Sequence, residues 1–165
     1  MADRFVIVIK DINLVSTNEA YRPTYKGKYA FFRRSKELIT FQREFSKKLE
    51  TYRESFDLFI ETQKQNISNL GLKLNLVLEL PYYMFFYKTK QNDIRKHDTS
   101  NYIKSIEDQI SAFTGIDDKF NIQVSATKTY NESALTPNVY VLIECIDYKK
   151  YHSRAVLDYF NIGEK

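Results

Sequence analysis

The chain has 165 residues, 43% hydrophobic and 15% aromatic, with 25 Lys and Arg against 21 Asp and Glu for a net charge of +4. That length fits one domain and that apolar content can bury a core, which excludes a disordered chain; no apolar run is long enough to span a membrane. The lone cysteine, Cys145, excludes an internal disulfide and fits a reducing, cytoplasmic compartment.

Phe5–Ile9 is β-branched and aromatic and predicts a first strand, too short for a signal-peptide core. Asp11–Arg34 disperses Asn, Ser, Thr, Pro and Gly and predicts a long structured loop. Within and just past it, Arg22, Lys26, Lys28, Arg33, Arg34 and Lys36 interleave with Tyr21, Tyr25, Tyr29, Phe31 and Phe32. This mix suits phosphate neutralisation with stacking on unpaired bases, or a solvated loop with aromatics tucked beneath it. Leu38, Phe41, Phe45, Leu49, Tyr52, Phe56 and Phe59 recur three and four apart. They predict a helix capped by Ser35 and reaching Asn66 or Leu70, as one segment or two. Gly71 stands where a left-handed C-terminal residue is expected.

Leu72–Leu80 alternates strictly as LKLNLVLEL and predicts a strand. After Pro81 the run YYMFFY continues it past a bulge, as core or as a dimer surface. Lys88–His97 is a polar loop whose Lys88, Lys90, Arg95 and Lys96 are placed to guide a phosphate toward the acidic stretch that follows. Ser100–Phe113 predicts a helix with Ser100 as N-cap, an apolar stripe of Ile103, Ile106, Ile110 and Phe113, and Gly115 as C-terminal residue. Asn121–Tyr130 and Val139–Cys145 predict two strands joined by a turn, and Tyr148–Phe160 a last helix. Helices interrupting about four strands make an α+β fold with a C-terminal helix.

The segment HDTSNYIKSIEDQISAFTGIDD, residues 97–118, concentrates the acids. Asp98 precedes the helix, Asn101, Lys104 and Asp108 share one helical face, and Asp117 and Asp118 open the next strand. A helix of about fourteen residues is roughly 21 Å long. Asp118 therefore meets Asp98 only if the chain runs back along the helix. Two readings fit. Clustered carboxylates hold a hard cation such as Mg²⁺, and a lysine beside them stabilises charge building on a phosphate. Alternatively, acids near a helix start and an acid four residues from a lysine are an ordinary solvated surface.

The same residues resemble the signature of the RusA family of Holliday junction resolvases, best known from phage and prophage. That signature runs Asp, one residue, Asp-Asn, a Lys three later, an Asp four further on, and an Asp-Asp pair before a strand; here it stands as Asp98, Ser100, Asn101, Lys104, Asp108, Asp117 and Asp118. A first strand followed by Ser16, Asn18, Tyr21 and Arg22 is similar to the family's Ser-x-Asn-x-x-Tyr-Arg loop. The resemblance covers roughly Phe5 to Cys145. It implies one RusA-like domain over 1–165, with a mixed sheet, a core of about 5–145 and a helical extension over 148–161. It implies Mg²⁺ (or Mn²⁺), with Asp98 and Asp118 as metal ligands, Asp117 in support and Lys104 catalytic. It implies a homodimer on a four-way junction or related branched DNA, and no small-molecule substrate. Arg22, Lys26, Lys28, Arg33, Arg34, Lys88, Lys90, Arg95 and Lys96 would contact the DNA; Asn18, Tyr21 and Asn101 would support the site. Ser100 departs from the pattern, because the family usually has a ligand aspartate there. Either Asp108 or Asp117 supplies the missing oxygen, or the Ser100 hydroxyl holds a water, or the protein is a weakened or inactive junction binder. A third class, a protein-interaction domain, predicts no metal effect and little affinity for DNA.

Overall fold

A computed structural model describes residues 4–26, 28–86 and 99–150. The strict alternation of Leu72–Leu80 decides the centre of the fold. Leu72, Leu74, Leu76, Leu78 and Leu80 are all buried on one face of strand β4 (Leu70–Pro81). On one side β4 pairs antiparallel with β6 (Asn138–Asp147), which pairs antiparallel with β1 (Arg4–Ile9). On the other side it pairs parallel with β5 (Asn121–Asn131). The sheet is mixed, in the order β1-β6-β4-β5. Register lines up apolar rows across it: Ile7 faces Val141, which faces Leu76, and Ile9 faces Val139, which faces Leu78.

Three helices cover this apolar face. They are α2 (Lys36–Glu50), α3 (Arg53–Lys64) and α5 (Ser100–Thr114), named with α1 (Thr17–Ala20) and α4 (Tyr82–Phe85) in chain order. Their buried stripes are Leu38, Phe41, Phe45 and Leu49; Phe56 and Ile60; and Tyr102, Ile106, Ile110 and Phe113. Ser35 caps α2 as expected, its hydroxyl accepting the Leu38 N–H at 3.0 Å. The long apolar repeat breaks between α2 and α3 at Thr51 and Tyr52. There the Tyr52 hydroxyl accepts from the Val8 N–H (3.2 Å) and donates to the Val8 carbonyl (3.1 Å), satisfying both groups on the open edge of β1.

Three local expectations are corrected. Residues 11–34 are not one loop: α1 is followed by an antiparallel hairpin of β2 (Tyr21–Lys26) and β3 (Tyr29–Arg34). Aromatic and basic residues lie on both strands, and Pro23 argues against a strand; a two-stranded hairpin tolerates it because every strand there is an edge. Gly71 does not end a helix. It lies in β4, where a Cβ would meet Ile122 Cγ1 at 2.9 Å and the Phe120 carbonyl at 3.2 Å. YYMFFY does not extend β4 but turns into α4, and Tyr82, Phe85 and Phe86 gather around Tyr130. The strands β5 and β6 are sequence neighbours but not partners, because β4 lies between them. Of the helix expected over Tyr148–Phe160, the first three residues, Tyr148–Lys150, form a 3-10 turn, and 151–160 lie outside the described residues.

Candidate functional site

Helix α5 and the turn after it build the site. Thr99 has helical dihedrals, and its carbonyl accepts the Ile103 N–H at 3.3 Å. Ser100 therefore stands in the first turn of α5 and is not its N-cap, a correction to the sequence expectation. The buried stripe of α5 turns Lys104 and Asp108 to solvent. Gly115 ends the helix with φ 67°, in the left-handed region, as its residue type predicts. The chain then reverses within three residues. Asp117 accepts the Lys119 N–H at 3.1 Å, which opens a 3-10 turn over Asp118–Phe120 and leads into β5.

This reversal brings Asp118 back along α5. The Lys104 Nζ lies 2.7 Å from Asp118 Oδ2 and 3.0 Å from Asp108 Oδ1. A second tie sits one helical position away, where the Asn121 Nδ2 donates to Glu107 Oε1 at 2.9 Å. The hydrogen bonds that Lys104 donates to Asp118 and Asp108 raise its pKa above the ordinary lysine value, so the side chain stays a cation throughout the physiological range. The Asp117 carboxyl is held below the usual range by the Lys119 backbone N–H and ammonium, the latter at 3.2 Å.

Of the expected site residues, Lys104, Asp108 and Asp118 come together, with Asp117 next along the turn. Ser100 is one turn of α5 above Lys104. Asp98, Lys88, Lys90, Arg95 and Lys96 lie outside the described residues. Asn101 accepts from the Thr17 hydroxyl at 3.3 Å and so joins α1 to the start of α5. Asn18 is exposed on α1 and Tyr21 opens β2. Among the expected DNA contacts, Arg22, Lys26, Lys28, Arg33 and Arg34 all fall on the hairpin, where Arg22 pairs with Glu37 at 3.0 Å and Arg33 lies over the Phe31 ring. Sequence reasoning missed Thr17 and Asn121. Both act through side-chain contacts between elements remote in sequence, for which no local pattern exists.

A family model for the endodeoxyribonuclease RusA matches residues 20–144. The chain belongs to the RusA endodeoxyribonuclease family. The match takes in the hairpin, α5, the Asp-Asp turn and strands β4 and β5, and it ends inside β6. Ser16 and Asn18 precede it. No curated protein sequence matches the chain. Among the described residues no helix is long and apolar enough to cross a membrane. Nor do three His, Cys, Asp or Glu side chains among them gather closely enough to hold a metal ion.

Proposed function

We propose that this RusA-family chain is a Mg²⁺-dependent, structure-selective endonuclease that hydrolyses phosphodiesters in Holliday junctions or related branched DNA, working as a homodimer inside the cell. The observation that carries the proposal is the Lys104 ammonium held between Asp118 and Asp108 across two elements of a RusA-family domain.

What supports the metal is the kind of donor, since among the described residues no three such side chains gather closely enough to hold an ion. Asp118, Asp117 and Asp108 offer exposed carboxylate oxygens, the hard donors that Mg²⁺ takes. By the family resemblance Asp118 and Asp98 would hold the ion, with Asp117, Asp108 and Ser100 as further oxygens; Mn²⁺ has the same donor preference. When bound, the ion supplies Lewis-acid stabilisation of phosphate charge and lowers the pKa of the attacking water. The chain's own residues do the rest. Lys104 keeps its proton and donates to a phosphate oxygen as negative charge builds there. Asp108 and Asp118 hold that ammonium in place from two sides. Arg22, Lys26, Lys28, Arg33 and Arg34 neutralise backbone phosphates. Two cuts related by a two-fold axis require two sites so related, hence the homodimer.

Ser100 favours a second reading, a junction-binding protein with weak or no cleavage, because the family usually has an aspartate there. One experiment tests both. A four-way junction and a linear duplex are incubated with the protein, with and without Mg²⁺, beside Asp118→Asn and Ser100→Asp. Mg²⁺-dependent nicking of the junction that is lost in Asp118→Asn is the expected result. Binding without nicking, with cleavage appearing in Ser100→Asp, would establish the second reading. Neither binding nor nicking would defeat both.

A further inference from the structure

The hairpin is a two-faced arm. In an antiparallel pair, residues directly opposite each other share a face. Tyr21 faces Arg34, Pro23 faces Phe32 and Tyr25 faces Ala30, so one face is apolar and aromatic with Arg34 at its base. Arg22 faces Arg33, Thr24 faces Phe31 and Lys26 faces Tyr29, so the other face carries three cations, Arg22, Lys26 and Arg33, beside Phe31 under Arg33 and the exposed Tyr29. The aromatic face is bare: Tyr25 is 73% and Phe32 73% exposed, and Tyr21 50%. The arm is fastened at its base by the Ser35 N–H on the Ala20 carbonyl (2.9 Å), Arg22 on Glu37 (3.0 Å) and Arg34 on Gln42 (3.5 Å).

Charge decides what such an arm fits. Residues 21–34 contain Arg22, Lys26, Lys28, Arg33 and Arg34 and no Asp or Glu. A partner that needs both cations and aromatic faces is a polyanion that carries π surfaces of its own, a nucleic acid with unstacked bases. Spacing agrees. Tyr25 and Phe32 are diagonal neighbours on that face, their backbone positions roughly 7–8 Å apart, so both rings are presented to the same short run of bases. Position agrees too. The arm grows directly from α1, whose Thr17 holds Asn101 one helical turn from Lys104.

We infer that this arm reads the branch: its Tyr21, Pro23, Tyr25 and Phe32 face stacks on bases opened at a DNA branch point, while the Arg22, Lys26 and Arg33 face lies along the phosphate backbone. The inference rests on the branched-DNA reading and deepens it. It assigns discrimination between junction and duplex to the aromatic face and general affinity to the cationic one.

The test measures binding in EDTA to a four-way junction with 2-aminopurine at the branch point and to the matched linear duplex, across a salt series. Tyr25→Ala with Phe32→Ala is expected to lose roughly tenfold or more in junction affinity, the scale of one base–aromatic stack. It should keep its duplex affinity and salt slope and lose the 2-aminopurine fluorescence change, which Tyr25→Phe should retain. Lys26→Ala with Arg33→Ala is expected to weaken both substrates alike and to reduce the salt slope by about 2. The inference is overturned if the aromatic double variant binds the junction and perturbs 2-aminopurine as the parent does. It is overturned equally if junction and duplex suffer alike, or if the loss is seen on phosphatidylserine vesicles and not on DNA. Parent protein that nicks junctions with Mg²⁺ while the aromatic variants match it overturns the arm's role and leaves the nuclease reading standing. Parent protein that neither binds nor nicks overturns both.

Discussion

Lys104 carries charge to two carboxylates at once, and that arrangement separates activity from stability. Its side chain is 52% exposed, so its ion pairs are screened by solvent. Lys104→Ala is therefore expected to change the unfolding free energy by less than about 1 kcal/mol and to lower junction cleavage by about 10²–10³-fold. Thermal melts beside single-turnover cleavage check this; a large drop in Tm with proportionate loss of activity would make Lys104 a structural residue. Cys145 gives a pH-dependent counterpart. Burial pushes its thiol up to about 11 from 9.0. The folded state favours the protonated thiol, so this contribution to stability is fully present below pH 9 and is lost as pH rises toward 11. At pH 8 the native thiol should react with a disulfide reagent such as DTNB at least tenfold more slowly than the thiol of the denatured chain. Equal rates would show an accessible, ordinary cysteine.

Among elements, the reversal from α5 into β5 does the positioning, and two glycines permit it for different reasons. Gly115 needs its left-handed φ of 67°, while nothing lies within 4 Å of the place a Cβ would take. Gly115→Ala should cost about 1 kcal/mol from backbone conformation alone. Gly71 has an ordinary strand conformation but no room, with Ile122 and the Phe120 carbonyl pressed against it. Phe120 belongs to the turn that carries Asp118. Gly71→Ala should therefore cost about 1–3 kcal/mol through overpacking and also reduce cleavage, because relieving the clash moves that turn away from Lys104. Activity unchanged in a destabilised Gly71→Ala protein would uncouple β4 from the site.

For the whole molecule, an aromatic cluster joins the helices to the sheet. The Phe56 ring lies 5.2 Å from Phe5 of β1 and 5.0 Å from Phe113 of α5. Three elements thus meet on one fully buried side chain of α3. Arg53, one turn earlier, adds its guanidinium over the Phe113 ring at 4.3 Å and donates to the Phe113 carbonyl at the end of α5. Phe56→Ala should cost about 3–5 kcal/mol, a large part of a typical domain's ~5–15 kcal/mol, and lower Tm by about 10 °C. Calorimetry measures it; a loss below ~1 kcal/mol would mean that the helices hold the sheet by other contacts.

Some of this molecule was determined by sequence alone. Strict alternation in Leu72–Leu80 and three-and-four spacing in the helical stripes identify elements because each pattern matches the geometry of one local backbone. Ser35 as a cap and Gly115 as a left-handed terminus follow from the chemistry of single residues. The family signature puts the acids and Lys104 in one segment with no contact needed. Tertiary structure alone decided the rest. The position of β4 between β5 and β6 depends on which apolar faces meet, and turn residues do not encode that. Gly71 reads as a helix end until the neighbouring Ile122 shows it to be a close contact. The hairpin escaped the sequence because its faces are aromatic and basic, not buried and exposed, so no core dictates its period. The meeting of Lys104 with Asp118 needed the chain reversal itself. Fourteen residues separate the two, and folding the turn back along α5 is what reduces that separation to 2.7 Å.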